Sequence, residues 1–426
     1  MQPPIDPLDP VDTPIIRSAL DTDFYKLLMA QSVLRHRPDV EVEFSLVNRS
    51  RGVRLSDEVD EGELRAELDR AMGLKLSAEE GQYLAGLEAG GQRIFGPEFL
   101  EALAGLRLPP YSLIIRNGQF ELSFTAPWPA VMLWEVPCLA ILMELRSRAV
   151  LRRMTIADRR RVYAKAGARL DAKLERLAML DGLRLADFGT RRRHSFAWQE
   201  AAVLRAGDRL GQAFLGTSNV LLAMRHGVAP IGTSAHELPM VYAALADGDD
   251  ALARAPYDVV ADWERDYPLP LRILLPDTFG TPGFLARAPA GAAAWSGIRI
   301  DSGDPVAIAE LTIDWWRARG EDPRTKSVIF SDGLDVAEIE ALHSRFAGRV
   351  RVAFGWGTLF TNDFRGLVPG DALAPFSLVC KAVGANGRPT VKLSDNPAKA
   401  LGPALEIARY RRVFAVGDQP ERAVEV

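Results

Sequence analysis

Cysteine is nearly absent. The 426 residues hold two, Cys138 and Cys380, each inside an apolar run. No disulfide framework and no cysteine zinc site can be built from them, so they read as small core hydrophobes of a reducing compartment. Histidine is scarce as well, at five residues. Neither sign of charge dominates, since 52 Lys+Arg against 56 Asp+Glu leaves a formal net charge of −4. That balance argues against a protein that wraps nucleic acid or clings to an anionic membrane, because both need a broad positive field. The N-terminus carries no basic segment followed by an apolar one, so no signal peptide is expected. The most apolar stretch, Val131–Met143, is broken by Glu135 and Pro137 and is too short to span a bilayer. The expectation is a soluble, cytoplasmic protein with no nucleic-acid or membrane partner, whose anion sites are local.

What is present is enough for a large core. Hydrophobic residues make up 48% and charged residues 25% of the chain, which excludes global disorder, and the length suggests two or three domains at about 150 residues each. Five prolines in residues 1–14 read as an extended arm. Thr22–Val33 reads as a helix and Val42, Phe44 and Leu46 as a strand. Residues 57–109 are charged and helical, with Gly90-Gly91 as punctuation, and Asn117-Gly118 centres a hairpin. From about residue 180 the pattern changes to short buried runs that end in small or polar residues, each followed by a helical stretch. Helices are expected at Phe196–Leu210, His236–Ala246, Val306–Arg319 and Asp335–Phe346. Such strand–loop–helix units indicate a parallel sheet, and seven run ends fit a closed α/β barrel, with its chemistry at the C-terminal ends of the strands. A last hairpin around Asn386-Gly387 would return to the first layer. The fold class is therefore α/β: a central barrel over 146–372, with a smaller α+β domain from 1–145 and 373–426.

The run ends carry the chemistry. Asp187-Phe188-Gly189-Thr190-Arg191-Arg192-Arg193 is either a salt-bridged surface run or an anion site, and the adjoining ring and glycine favour a site for a flat ligand. In Arg299-Ile300-Asp301-Ser302-Gly303-Asp304-Pro305, Asp301 suits Mg²⁺ or ribose hydroxyls, while Asp304 before proline suits a helix cap. Ser331-Asp332-Gly333 and Gly355-Trp356-Gly357-Thr358 are either ordinary turns or backbone cradles for phosphate. His236, opening a helix after Gly232-Thr233-Ser234-Ala235, has the nucleophilic nitrogen needed to carry a phosphoryl group. His36, His194, His226 and His343 are read as structural. Lys392 and Lys399 add late basic groups. Asp277 stands in a stretch, Ile273–Gly280, that has too few acids for a type I phosphoribosyltransferase loop.

Taken together, these strings resemble nicotinate phosphoribosyltransferases from about Leu20 to Lys399. The motifs are Asp21-Thr22-Asp23-Phe24-Tyr25-Lys26, Trp134-Glu135-Val136-Pro137, Phe188–Arg193, Gly216-Thr217-Ser218-Asn219, Gly232–Glu237, Asp301–Pro305 and Lys392–Asp395, in the family's order. The resemblance implies a type II phosphoribosyltransferase barrel. It also implies transfer of phosphoribose from phosphoribosyl diphosphate to nicotinate in NAD salvage, with Mg²⁺, and ATP hydrolysis through a phosphohistidine at His236. It implies a homodimer with shared active sites, in which Tyr25 reaches a neighbour's pocket and, with Phe188, sandwiches the pyridine ring. Asp23 would support that segment, with Arg191 and Arg299 near nicotinate and the departing diphosphate. Asp301 would position ribose or the metal. Ser331, Gly333, Gly355, Gly357, Thr358 and Lys392 would hold phosphate groups, and Thr217 and Ser218 would border the base. Nicotinamide enzymes place an aspartate where Ser218 stands, so an uncharged residue favours the acid over the amide. Trp356, Leu238 and Lys381-Ala382-Val383-Gly384 depart from the family's usual residues. The competing readings are a nicotinamide transferase and a catalytically silent phosphate sensor.

Overall fold

A computed structural model describes residues 13–50, 52–417 and 421–422. Most of the expected proline-rich arm therefore lies outside the described residues.

The first layer is built around β1 (Glu41–Asn48), whose Val42, Phe44 and Leu46 are buried in alternation with exposed Glu41 and Glu43, as a half-buried strand requires. Beyond it, β2 (Glu88–Ala89) and β3 (Gln92–Arg93) form a small hairpin at Gly90-Gly91. Next come β4 (Tyr111–Arg116) and β5 (Gln119–Pro127), which turn back at Asn117 and Gly118. Both residues have positive φ, 53° and 76°, the backbone a two-residue hairpin needs. The charged stretch before them folds as helices Glu61–Met72, Ala78–Gly86 and Pro97–Gly105.

The second layer is a parallel sheet of β6 (Leu185–Asp187), β7 (Phe214–Thr217), β8 (Ile273–Leu274), β9 (Gly297–Ile300), β10 (Ser327–Phe330) and β11 (Arg351–Trp356), in the order β7-β6-β11-β10-β9-β8. The last strand, β11, pairs with the first, β6, which is how a barrel closes and an open sheet does not. Of the seven expected runs, Ile231 forms no strand; its segment makes only the Thr217–Pro230 bridge to β7. Among the described residues, no ladder joins that segment to β8, so the ring has one seam. Helix Phe196–Leu210 is as read from sequence, capped by the Ser195 hydroxyl on Trp198 N–H. Asp304 likewise accepts from Val306 and Ala307 N–H as the cap of Pro305–Ala318.

Then β12 (Leu378–Ala385) and β13 (Arg388–Pro389) return to the first layer, giving an antiparallel sheet in the order β13-β12-β1-β5-β4. The return ends there. Leu393 and Ser394 donate to Thr278 O, Asp395 accepts from Thr281 N–H at 2.8 Å, and Phe414 of helix Ala404–Phe414 stacks on Phe279 at 4.4 Å. Residues 393–414 thus pack on the barrel, because the apolar face of the last helix finds Phe279 there.

Helical segments run from Trp128 to Arg152, and this run is long and apolar enough to cross a membrane, with 89% of its apolar window buried inside the protein. Glu135 and Pro137 do not break it as expected. They fall in the first turn of Glu135–Arg152, where backbone N–H groups lack helical partners and proline loses nothing.

Candidate active site

A cleft of ≈ 1240 Å³ opens between the C-terminal ends of the barrel strands and β12. Seven cations line it (Arg49, Arg191, Arg192, Arg299, Lys381, Lys392 and Lys399) against three carboxylates, Glu135, Asp301 and Asp332. A chain with net negative charge has therefore concentrated positive charge in one place. Lys399 pairs with Asp332, and Lys381 with Glu135 at 3.2 Å. By contrast, Arg49, Arg192 and Arg299 form no ion pair within 4 Å among the described residues. Burial pushes Arg192 down to about 10, and neighbouring Arg191 and Arg49 add to the effect. Such mutually repelling cations are held in place to meet an anion.

His236 stands at the start of helix Glu237–Ala244, just past the seam. Its Nδ1 lies 3.0 Å from Thr278 Oγ1 and 3.7 Å from Asp277 Oδ1; its Nε2 lies 3.0 Å from Asp301 Oδ2. Burial pushes the imidazole down to about 4, against the pull of Asp277 and Asp301, so it is neutral at physiological pH. Asp301 also accepts from Ser331 Oγ at 2.7 Å. Burial works to raise its pKa, but Arg299 and His236 hold it well below the usual carboxylate range.

The arginine run divides by role. Arg191 faces the cleft, 3.4 Å from Asp23 and 3.3 Å from Glu135, with its guanidinium 5.5 Å from the Tyr25 ring centroid. Arg192 also lines the cleft. Arg193 is wholly buried and forks onto Asp21 at 2.6 and 2.9 Å while donating to Ile15 O at 3.1 Å. It is a fastening for the N-terminal segment and not part of the site.

Residues 183–418 match the nicotinate phosphoribosyltransferase (NAPRTase) family, and residues 20–143 match that family's N-terminal domain. The chain belongs to the nicotinate phosphoribosyltransferase family. It is similar in structure to the nicotinate phosphoribosyltransferase of Vibrio cholerae, at 32% identity over 96% of each chain with a TM-score of 0.83. The Porphyromonas gingivalis nicotinate phosphoribosyltransferase is similar too, at 27% identity over 94% of this chain and all of that one, again with a TM-score of 0.83.

Of the residues singled out from the family motifs, the cleft gathers Phe188, Arg191, His236, Arg299, Asp301, Ser331, Gly333, Gly357, Thr358 and Lys392. Five lie behind its wall. Thr217 is fully buried and donates to Asp187 at 2.7 Å; Ser218 donates to Asp23 at 2.7 Å. Gly355 does not face the cleft either. A Cβ there would stand 2.3 Å from the Phe188 ring, so this glycine makes room for the aromatic wall. Tyr25 and Asp23 pack against their own chain. Phe24 N–H donates to Ser218 O at 2.7 Å, and the Tyr25 hydroxyl donates to Glu135 at 3.2 Å. If sites are shared across a dimer, co-expressed Tyr25→Ala and Arg191→Ala chains should regain about a quarter to a half of activity; no recovery would mean self-contained sites.

Sequence reasoning passed over Glu135 as a member of the site. Its two oxygens receive Tyr25 Oη, Lys26 Nζ at 2.7 Å, Arg191 and Lys381. Burial opposes its charge, yet Lys26, Lys381 and Arg191 hold its pKa well below normal. The available signal was a lone carboxylate in an apolar run, which is tolerated only when paired. Arg49 and Asp332 also enter the cleft; Asp332 lies in the Ser331-Asp332-Gly333 string, whereas Arg49 had no local sequence cue.

Proposed function

We propose that the cleft transfers the 5-phosphoribosyl group from phosphoribosyl diphosphate to nicotinate, releasing nicotinate mononucleotide and diphosphate. The carrying observation is the excess of cations in one cleft, because this reaction brings an anion and a polyanion together. The pyridine nitrogen attacks the anomeric carbon as the bond to diphosphate breaks, and negative charge accumulates on the leaving oxygens. Arg299, without an ion pair within 4 Å, suits that charge. Arg191 beside Tyr25 suits the nicotinate carboxylate, with Phe188 as the facing ring. Backbone N–H groups at Gly333, Gly357 and Thr358 suit the 5-phosphate.

The donor set fits Mg²⁺. Asp301 and Asp332 offer carboxylate oxygens on the cleft wall, and this ion binds through one or two carboxylates plus substrate phosphates. When bound it would neutralise diphosphate charge.

We further propose that ATP is hydrolysed through phosphorylation of His236. Attack on the γ-phosphorus by Nε2, on the Asp301 side, requires the ring proton on Nδ1, where Thr278 and Asp277 accept it. The P–O bond to ADP breaks, and water later releases phosphate. A neutral buried imidazole beside polar acceptors supports this role. A homodimer with shared active sites, in the cytoplasm, is proposed with it.

The test is a substrate panel with Mg²⁺, with and without ATP, with nicotinate against nicotinamide. Nicotinate should release diphosphate and nicotinamide should not. His236→Ala is expected to lose all stimulation by ATP while retaining slow base transfer; unaltered stimulation would remove the phosphohistidine.

The pH dependence follows from Lys392. Burial pushes its ammonium down to about 8, with Lys399 and Lys381 adding to this and Asp277 and Asp301 opposing it. Below that pH it is protonated and attracts diphosphate; above it the charge is lost. The KM for phosphoribosyl diphosphate should therefore rise as pH passes about 8. In Lys392→Arg that rise should disappear, since arginine stays charged.

A further inference from the structure

Lys26, in the N-terminal motif, is a charged residue with no task in the reaction above, and its surroundings are unusual. Its side chain is fully buried. Its Nζ lies 2.7 Å from Glu135 Oε2 and also pairs with Glu237 Oε2. Glu237 adjoins His236 and opens the helix that presents it; its other oxygen accepts from Trp128 Nε1 at 2.6 Å. Burial disfavours the Lys26 ammonium, but the two glutamates push its pKa up. It therefore stays charged. A buried ammonium between two carboxylates is not the least expensive way to fill a core, since well-packed apolar side chains commonly do as well or better.

We propose that Lys26 is a positioning residue that transmits occupancy of the base pocket to the His236 helix. Glu135 divides two oxygens among four donors, of which Arg191 and Lys381 line the cleft and Tyr25 and Lys26 lie behind it. An anion that draws Arg191 and Lys381 toward the cleft leaves Glu135 with fewer partners. Lys26 then moves closer to Glu135 and farther from Glu237, releasing the start of the helix on which His236 sits. The same linkage runs backward: a change at His236 that shifts Glu237 alters the grip of Glu135 on Arg191, because coupling free energies are reciprocal. Tyr25 and Lys26, adjacent in the first turn of Phe24–His36, divide the work between ring contact and linkage.

The inference rests on reading the cleft as a nicotinate site. Its test is amide hydrogen exchange on the full chain with and without nicotinate, in wild type and Lys26→Met. In wild type, nicotinate should change the exchange of the Glu237–Ala244 amides by roughly 5-fold or more, the lower end of ordinary coupling between sites. In Lys26→Met, nicotinate should still bind by calorimetry but leave those amides unchanged. A residue that merely filled space would not remove the ligand response while preserving binding. An equal response in both proteins, or none in a wild type that binds nicotinate, overturns the proposal. Should Lys26→Met fail to fold, Glu237→Gln keeps the acceptor for Trp128 without the charge and carries the same comparison. Failure of wild type to bind nicotinate would instead remove the assigned ligand, and the inference with it.

Discussion

Arg299→Ala is expected to lower kcat/KM by about 10²–10³, the usual effect of deleting one preorganised group that meets developing charge, without destabilising the ligand-free protein. Both halves follow from its surroundings. Arg299 lies on β9, is 7% exposed, leaves Nε without a hydrogen-bond partner and pairs with no carboxylate within 4 Å among the described residues. Its desolvation is a standing cost of the empty site, recovered when a polyanion arrives. Removing it relieves that cost and the repulsion within the cation cluster while taking from Asp301 its leading counter-charge, so the denaturation midpoint should hold. The acid limb of the pH–rate profile should also move upward, because Arg299 is the leading charge that keeps Asp301 ionised. An activity loss accompanied by a lower midpoint would mean that Arg299 is structural.

Arg193→Ala should do the reverse. Its loss leaves Asp21 buried without its counter-charge, and breaking such a pair costs about 3–5 kcal/mol. The urea midpoint should fall steeply, and activity should follow only as far as the folded fraction falls. Replacing both partners, as in Arg193→Met with Asp21→Leu, should recover much of the lost stability, since the penalty lies in the uncompensated charge. Two buried arginines, Arg299 and Arg193, would thus be separated by experiment: one set for the ligand, one for the fold.

That contrast also marks what can be read from the chain. Local signals were reliable. The strand–loop–helix pattern gave helix Phe196–Leu210, Asp304 before proline gave a cap, and Asn117-Gly118 and Asn386-Gly387 gave hairpins because few other residues accept positive φ. The barrel followed from recurring buried runs. Its seam did not, because whether Ile231 pairs as a strand depends on a neighbour far along the chain. The roles of Arg191 and Arg193 are set by Asp23 and Asp21 in a distant segment, and nothing in three consecutive arginines assigns them. Gly355 read as a phosphate cradle because glycine marks close approach, and the approach proved to be that of the Phe188 ring.

The Trp128–Arg152 run has a consequence for how the molecule is made. It leaves the ribosome before any barrel strand, and its cover includes β12, which lies between β13 and β1 in the sheet. Val42 must wait for Ala385. Contacts so far apart in sequence form late and slowly. Until then the nascent chain displays a bilayer-length apolar run covered only in part, by earlier elements such as helix Glu61–Met72, a state prone to aggregation. Products truncated before Leu378 would keep the face that β12 covers exposed.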